Sequence, residues 1–586
     1  MLKTSLLLGL ALIGLDNAAV GQTQPNVILI MTDDQGIGDF GCTGNPLIET
    51  PNIDAMSRRS LRMERFYVSP VCAPTRACLL TGRYNYRTRV VDTFQGRAMM
   101  EPSEITVAEI MQEHGYATGI FGKWHLGDNF PLRPMDQGFQ RSVVHRGGGI
   151  GQSSDPIEAA GKYTDPILID DGFPRPFKGY CTNVYYRCAS QFIRKCVQNQ
   201  KPFFVYLPDN CPHGPFGDTP QGWMKYYKGI NLENDQFPAS QGEPLPKRTD
   251  TLKRRQIFSM ISNIDQNIGK LYELLDQLGI RENTIVVFMT DNGPNGNRYR
   301  CSLRGRKTSV YEGGIRTLFL WDWPAIDPTA RSSSAVAAHI DLAPTLLQAC
   351  NIPIPKNLFD GRSFLPVLKN STSKLPDRTL FIQTHRGNTP QKFHHFAAIG
   401  PRWKLVNHSG FNQETLQSPV NFELFDLHND PYEMRNMVSQ HTDIANQLRA
   451  EYEAWFADVG KTRIDNYQPP LIKIGALQEP STLLSRQDLR QSSESDKPSK
   501  VPKGTWRVDN LSAKPFRVTI HLVNDAVGTE VALHAGNQVW IQKHTSDDRK
   551  VTYEEVQFPV GPLKIWATYS DNQTNNIAFQ IAIETR

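Results

Sequence analysis

The sequence predicts an α/β protein with a mixed, mostly parallel central sheet flanked by helices. A smaller antiparallel α+β subdomain and an appended all-β module are expected to follow it. Three continuous apolar runs of strand length, 27–31, 203–207 and 285–289, are each followed within two residues by polar side chains. Such runs are typical of strands buried on both faces of a parallel sheet. Beyond residue 503 apolar residues recur at every second position, which indicates the all-β module.

The chain has 586 residues, which is too long for one ordinary domain. Changes in composition and periodicity set the expected boundaries. They are a signal peptide over 1–21, an α/β domain over 22–340, a smaller antiparallel subdomain over 341–460, a linker over 461–503 and a β-sandwich-like module over 504–586.

The first residues have the pattern of an export signal. Lys3 precedes an apolar run from Leu6 to Leu15, which is too short to span a bilayer as a stable helix. Small residues at 19–21 offer a cleavage site. We therefore expect a periplasmic or secreted protein without a stable membrane anchor; an uncleaved anchor is the alternative.

Charge and cysteine content narrow the functional classes. The formal net charge of +5 is small and diffuse, so it does not indicate a nucleic-acid partner. Nine cysteines in an exported chain permit disulfides, but the spacing of Cys181, Cys188 and Cys196 is not that of a usual zinc site. Packing or bridging is the better interpretation of those three.

Polar side chains follow two of the predicted strands. Asp33 and Asp34 come directly after the first strand, and Asp291 and Asn292 come after the strand that begins near Thr284. Ligands of open α/β sheets lie at the carboxyl ends of the strands. Four oxygen donors suit calcium or magnesium and do not suit zinc. Taken alone, the Asp33–Asp34 pair could equally be a helix cap or a turn.

A further stretch, 71–83, carries a cysteine at 72, a proline at 74 and an arginine at 76, followed by Leu-Leu-Thr-Gly-Arg. This stretch resembles the signature of the formylglycine-dependent sulfatases. The resemblance implies that a maturation enzyme, the formylglycine-generating enzyme, oxidises Cys72 to an aldehyde whose hydrate is the nucleophile. A buried free thiol or half of a disulfide is the alternative for this cysteine.

The resemblance extends over about residues 25–460. It includes the segments 122–127, 210–215 and 303–316, while 145–149 is interpreted as a loop on the substrate side. The resemblance implies calcium, in preference to magnesium, held by Asp33, Asp34, residue 72, Asp291 and Asn292. It also implies that the charge on the sulfate and the nucleophile is offset by Arg76, Lys123 and Lys307. His213 would then protonate the departing alcohol, and His125 would take a proton from the remaining hydroxyl.

From these residues we expect an exported sulfatase that acts on sulfate esters and takes part in the degradation of a sulfated carbohydrate. A phosphate or phosphonate ester hydrolase of the same fold is one alternative. A non-catalytic glycan-binding protein is the other. Because every matched motif lies before residue 461, the β module is expected to stand apart from the catalytic machinery. The aromatic residues of the module are expected in its core, with a sugar-stacking platform as the alternative; they are Trp506, Trp540, Trp566 and Tyr569.

Overall fold

A computed structural model describes residues 24–326, 331–416, 419–491, 504–523, 527–571 and 574–586. The predicted signal peptide lies outside these ranges. No helix within them is both long and apolar enough to cross a membrane.

The amino-terminal part is built on one large sheet. Its strands are β1 (Asn26–Thr32), β2 (Leu61–Tyr67), β3 (Ala117–Lys123), β4 (Arg141–His145), β5 (Ile167–Asp170), β6 (Phe173–Pro176), β7 (Phe203–Pro208), β8 (Thr284–Thr290), β9 (Arg316–Asp322) and β10 (Arg331–Ala338). In space they follow the order β10-β2-β9-β8-β1-β7-β3-β4-β5-β6. Five pairs of neighbouring strands are parallel: β1 with β7, β1 with β8, β3 with β4, β3 with β7, and β2 with β10. The predicted mixed, mostly parallel sheet is confirmed.

Helices cover both faces of this sheet or join its strands. They are α1 (Pro51–Ser57), α2 (Cys72–Thr81), α3 (Val107–Glu113), α4 (Cys181–Gln198), α5 (Gln221–Lys228), α6 (Thr251–Gln277), α7 (Glu312–Ile315), α8 (Leu342–Ala349) and α9 (Leu365–Lys369). A further helix, α10 (Thr442–Gly460), belongs to the second sheet. Side chains of β1 alternate between the two faces, so Leu29 and Met31 enter one hydrophobic core while Ile28 and Ile30 enter the other. The strand is apolar throughout because both of its faces are covered.

A second sheet is small and antiparallel. It consists of β11 (Leu380–Gln383), β12 (Phe396–Ile399), β13 (Trp403–Asn407) and β14 (Glu423–Asp426). Helix α10 packs on it through Tyr452 and Trp455. The predicted smaller antiparallel part is therefore present.

Two further sheets form the carboxyl-terminal module around one hydrophobic core. Their strands are β15 (Ile472–Ile474), β16 (Ser481–Ser485), β17 (Arg490–Gln491), β18 (Gly504–Asn510), β19 (Phe516–His521), β20 (Glu530–Ala535), β21 (Gln538–Lys543), β22 (Lys550–Val556), β23 (Gly561–Asp571), β24 (Thr574–Ile577) and β25 (Gln580–Thr585). Trp506 and Tyr569 are buried in this core, as expected, and Nε1 of Trp506 donates to the carbonyl of Ser485. Trp540 is only partly buried against the core, and Trp566 is half-buried and stacks on His534 outside it, so the expectation is wrong for these two.

The structure corrects the linker predicted over 461–503. Strand β15 pairs with β18, β16 pairs with β25, and β17 pairs with β18, so much of this segment belongs to the module. Its strands are short, and only a few apolar residues, such as Ile472 and Leu484, enter the module core. Because most of the segment is polar, its composition resembles that of a linker. Residues 492–503 lie outside the described ranges.

The module is packed against the α/β domain. Met99 and Leu132 of that domain enter the module core, and the Asn129 side chain donates to the carbonyl of Leu483 at 3.0 Å. A buried pair of carboxyl groups lies at the same junction, where the backbone N–H of Asp128 donates to Asp488 at 3.4 Å.

Burial raises the pKa of Asp128 to about 6, and burial together with Asp128 raises the pKa of Asp488. Other charged or titratable groups that act on this pair are Arg146, His145, Asp155 and Glu479. Because the unfolded chain releases these protons near pH 4, the pair destabilises the folded state increasingly as pH rises from about 4 through about 6.

We expect Asp488→Asn to raise the melting temperature by about 2 °C or more at pH 8, since it removes one buried charge. The gain should shrink as the pH falls toward about 3, where the wild-type pair is protonated in both states. Thermal unfolding followed across this pH range measures it. Asp547→Asn, at an exposed position of the same module, is the matched control; a gain that is independent of pH would contradict the assignment.

Candidate active site

Cys72 is the first residue of α2 and lies at the carboxyl edge of the central sheet. Strand β2 leads toward it, and the helix begins after an extended N-cap residue, Val71. The side chain is almost wholly buried, and burial raises the pKa of its thiol. An unmodified thiol here is therefore protonated near neutral pH and weakly nucleophilic. The amino end of α2 favours negative charge at this position.

Three carboxyl groups gather beside Cys72 because β1 and β8 are adjacent and parallel. Asp33 and Asp34 follow β1, while Asp291 and Asn292 follow β8. One donor atom each of Asp33, Cys72 and Asp291 lie within 4.8 Å of one another. The Asn292 amide donates to Asp34 Oδ1 at 2.9 Å. All four residues that follow the strands are fully buried.

Buried cations surround these carboxylates. Lys123 Nζ lies 2.6 Å from Asp33 Oδ2, Lys307 pairs with Asp34, and Arg76 Nη2 lies 3.0 Å from Asp291 Oδ2. Burial alone would raise the carboxyl pKa values, but Lys123 lowers the pKa of Asp33 and Lys307 lowers that of Asp34.

These cations do not fully balance the negative charge of the Asp291 carboxylate. Burial, followed by the nearby Asp33 carboxylate, raises the pKa of Asp291 to about 7 even though Arg76 is in contact with it. The three carboxyl groups therefore need further positive charge before all of them ionise together.

The donor atoms fit a divalent cation. Asp33 Oδ1, Asp34 Oδ2 and Asn292 Oδ1 are buried and have no hydrogen-bond partner in the described part of the chain. Buried oxygens without partners are costly, and a hard cation such as Ca²⁺ or Mg²⁺ binds oxygens of this kind. The unpaired oxygens and the surplus negative charge both favour a metal site at this edge.

Asp34 adopts a left-handed backbone conformation, with a φ of 64°. Arg298 holds this conformation: its Nη2 donates to the Asp34 carbonyl at 2.6 Å, and its Nε donates to both oxygens of Asp39 at 2.8 Å. In this conformation Asp34 faces the end of β8. Its backbone N–H donates to Asp291 Oδ1 at 3.1 Å.

His125 faces Cys72, with its Nδ1 3.4 Å from the sulfur. Its Nε2 lies 2.8 Å from the carbonyl of Thr93, which can only accept, so Nε2 carries the proton and Nδ1 is free to accept one. Burial, then the neighbouring Lys123, lowers the pKa of His125 well below its usual value. The ring is therefore neutral and oriented as a base toward residue 72.

His213 lies on the other side of the carboxylates. Its Nδ1 donates to the carbonyl of Gly214 at 2.8 Å, and its Nε2 is 3.8 Å from Asp34 Oδ2. The glycines of the loop predicted on the substrate side allow the backbone to lie close to both rings. A Cβ at Gly148 would come within 3.1 Å of the His125 ring, and one at Gly149 within 2.7 Å of the His213 ring.

The structure thus brings together every residue that the sequence nominated for the site. It also shows connections that the sequence could not reveal. Thr75 Oγ1 donates to the Asp291 carbonyl at 2.7 Å and accepts from the Ser69 backbone N–H at 3.0 Å. The hydroxyl therefore ties α2 to the end of β8.

We expect Thr75→Val to destabilise the fold by about 2–4 kcal/mol, because it keeps the volume but leaves a buried carbonyl and a buried N–H without their hydroxyl partner. Thr75→Ser retains the hydroxyl and should stay within about 1 kcal/mol of wild type. Urea-induced unfolding of both variants measures the difference. Equal stability of the two variants would show that the hydroxyl does not hold this junction.

A cavity of about 530 Å³ opens onto Cys72, His125, His213 and Lys307. Its size is that of a small-molecule site and exceeds the space that a sulfate group needs.

All nine cysteines are free thiols, so the disulfides permitted by the sequence are not formed.

Comparison with known proteins identifies the family. A family profile described as "Sulfatase" matches residues 25–352, and one described as "N-sulphoglucosamine sulphohydrolase, C-terminal" matches residues 306–457. The chain is 31% identical over 415 residues to N-acetylgalactosamine-6-sulfatase of Canis lupus familiaris, covering 66% of this chain and 72% of that one. It is 32% identical over 391 residues to arylsulfatase A of Homo sapiens, covering 61% and 70% respectively.

Solved structures share the fold. The crystal structure of Ps i-CgsB, also solved with k-i-k-neocarrahexaose, matches with a TM-score of 0.64 and 26% identity over 76% of this chain and 94% of that chain. A protein solved with its substrate, D-glucosamine-2-N,6-O-disulfate, has a TM-score of 0.61 at 21% identity, covering 76% of this chain and all of that one, and this likeness concerns the fold alone. The profile match covers more than half of the sequence and includes the whole site, and on this ground the chain belongs to the sulfatase family.

Proposed function

We propose that this sulfatase is exported and hydrolyses sulfate esters of a carbohydrate, with a formylglycine hydrate formed from Cys72 and a divalent metal, calcium in preference to magnesium. The observation that carries the proposal is the convergence of Cys72 with three buried, unpartnered oxygens of Asp33, Asp34 and Asn292. The residues that we assign to the metal are these three, Asp291 and residue 72. When bound, the metal would supply positive charge beside the sulfate oxygens.

Conversion of Cys72 is supported by the chemistry of its surroundings. The buried thiol is protonated, whereas an aldehyde hydrate supplies one hydroxyl that attacks sulfur and a second that allows sulfate to be expelled afterwards. Lys123 and Lys307, both held by carboxylates, offset negative charge on the nucleophile and the sulfate, and Arg76 keeps Asp291 in position.

Two histidines are suited to the proton transfers. Nδ1 of His125 points at residue 72 and is free to accept the proton of the remaining hydroxyl. Nε2 of His213 lies 3.8 Å from Asp34 on the cavity side, but its ring proton is on Nδ1 and burial lowers its pKa. His213 would therefore deliver a proton to the departing alcohol only in its protonated form, and charged Lys307, which lines the same cavity, can supply that proton. Overall, one water is consumed and an alcohol, sulfate and a proton are released.

A carbohydrate substrate is supported by the relatives. Their printed names include N-acetylgalactosamine-6-sulfatase, and two similar structures contain k-i-k-neocarrahexaose and D-glucosamine-2-N,6-O-disulfate. The cavity has room for sugar beyond the sulfate position. Export and maturation by a formylglycine-generating enzyme remain part of the proposal, and neither a nucleic-acid partner nor a stable membrane anchor is included.

Release of sulfate from a panel of sulfated glycans tests the proposed activity. Phosphate monoesters and diesters assayed on the same preparation separate it from a phosphate ester hydrolase. Turnover of phosphate esters with none of any sulfate ester would overturn the proposed function.

We expect Cys72→Ala to lose nearly all turnover while its melting temperature stays close to that of wild type. Cys72→Ser should react once and then stall, since serine has no second hydroxyl on the same carbon. In active wild-type protein, mass spectrometry of the tryptic peptide that follows Arg65 should show residue 72 as an aldehyde, roughly 18 Da below the thiol. Full activity with an unmodified thiol would exclude this mechanism.

Removal of the metal should abolish activity and lower thermal stability, because the Asp33, Asp34 and Asp291 carboxylates then repel one another. Calcium at about 100 times its dissociation constant should restore about 2.7 kcal/mol of stability. Asn292→Ala should shift the calcium dependence of both activity and melting temperature to higher concentrations. Asn199→Ala, at an exposed helix end, is the control. Metal-stripped wild-type protein with full activity would exclude the proposed site.

A further inference from the structure

The carboxyl-terminal module forms part of the wall of the active-site cavity, contrary to the expectation that it stands apart. Arg486, which follows β16, and Phe579, which precedes β25, line the cavity that also contains Cys72 and His125. A substrate whose sulfate group reaches residue 72 therefore has its remaining part beside these two side chains.

Arg486 is held in a fixed position without a neutralising carboxylate. It is 9% exposed, its Nε donates to the carbonyl of Ala578 at 3.2 Å, and its Nη2 donates to that of Ile577 at 2.6 Å. Its guanidinium carbon lies 5.8 Å from the centre of the Phe579 ring. Within the described ranges Arg486 forms no salt bridge, and its Nη1 has no hydrogen-bond partner. A guanidinium keeps its charge in proteins, so this one is buried, charged and only partly satisfied.

A second arginine lines the same cavity. Arg386 Nη1 lies 2.8 Å from Asp92 Oδ1 and is paired with that carboxylate, since Arg97, 3.4 Å from Asp92, has a second partner in Glu414. Arg386 keeps 33% of its side chain exposed. Together with Lys307, the described cavity lining contains three permanent cations and no carboxylate. Lys307 is paired with Asp34 and Arg386 with Asp92, so of these three cations Arg486 is the one without a carboxylate partner in the described part of the chain.

The module also fixes the loops around this wall. Gln487 Nε2 donates at 2.9 Å to the Thr93 carbonyl, the same group that orients His125. Gln580 Nε2 donates to the carbonyls of Ser153 and Asp155 at 2.8 and 2.9 Å. These bonds hold the loop that follows Gly149. The arginine wall is thus preorganised, which lowers the entropic cost of binding a ligand there.

We propose that Arg486 is a specificity-determining residue that binds an acidic group, carboxylate or sulfate, on the saccharide next to the sulfate ester under attack. This inference rests on the proposed function, because it places that ester at residue 72. Guanidinium groups recognise carboxylates and sulfates through charge-assisted hydrogen bonds. A neutral saccharide would displace water from this guanidinium without supplying an anion, so the site discriminates against it. The preferred substrate is a polyanionic carbohydrate.

The preference for an acidic neighbouring group can be tested on the wild-type enzyme. One pair of substrates is a monosulfated disaccharide with a uronic acid and the same compound with its carboxyl group reduced to an alcohol. The other pair is a disulfated disaccharide and its monosulfated neutral counterpart. We expect kcat/KM to favour the acidic member of at least one pair by about tenfold or more. The pair that shows the preference identifies the acidic group, and the absence of a preference in both pairs would overturn the proposal.

Arg486→Met should bring the preferred pair's kcat/KM ratio close to one, and Arg486→Lys should restore part of it. Arg517→Met, at a half-exposed position of the same module where Arg517 pairs with Glu554, should leave the ratio at the wild-type value. Thermal unfolding shows whether each variant is folded. A folded Arg486→Met protein with the wild-type ratio would exclude Arg486 as the determinant.

A binding measurement separates this proposal from the proposed activity. Calorimetry compares the dissociation constants of two pairs of ligands that carry no scissile ester. One pair is an unsulfated uronic acid disaccharide and its carboxyl-reduced form, and the other is a sulfated product and its neutral counterpart. In at least one pair the acidic ligand should bind wild type about tenfold more tightly. The difference should disappear in Arg486→Met. If sulfate esters are hydrolysed without preference for an acidic neighbour, the inference fails while the activity stands. If no ester is hydrolysed but the binding difference is found, the activity fails while the subsite stands.

Discussion

The concentration of negative charge at the carboxyl ends of β1 and β8 determines how the rest of the site is built. Two adjacent parallel strands deliver Asp33, Asp34 and Asp291 to one buried place, where water does not screen them. Such a cluster is tolerated only with opposite charge in contact. Lys123 comes from the end of β3, Arg76 from α2 and Lys307 from the loop before α7, so three separate elements converge because this charge must be balanced.

Much of this arrangement could be predicted from the sequence because it follows from local patterns. Apolar runs identify buried strands, and residues directly after parallel strands meet at one edge, so Asp33 and Asp291 could be brought together without coordinates. The family resemblance added Cys72 and the histidines. The antiparallel sheet could be predicted for the same reason, since its strands are marked by short apolar segments between turns.

Other parts could not be predicted because they depend on contacts between distant segments or on backbone atoms. The Thr93 carbonyl fixes the tautomer of His125, yet a carbonyl has no signature in a sequence. Arg486 lies more than 400 residues after Cys72 in a segment whose polar composition resembles a linker. Whether an arginine is a solvated surface charge or a buried wall of a cavity is decided by packing, and its residue type is the same in both cases.

The long-range contacts of the cavity also set an order of events during synthesis. Position 72 is made early, but the wall that encloses it requires Arg486 and the Gln580 bonds to the loop at 153–155. At about 5–20 residues per second, a ribosome needs roughly 20–80 s to proceed from residue 72 to residue 486. Throughout that interval the segment around Cys72 is not enclosed by the module, whereas the finished fold buries both Cys72 and Arg76. For the conversion of Cys72 that we propose, access to this segment would therefore be open before the chain is complete and closed afterwards.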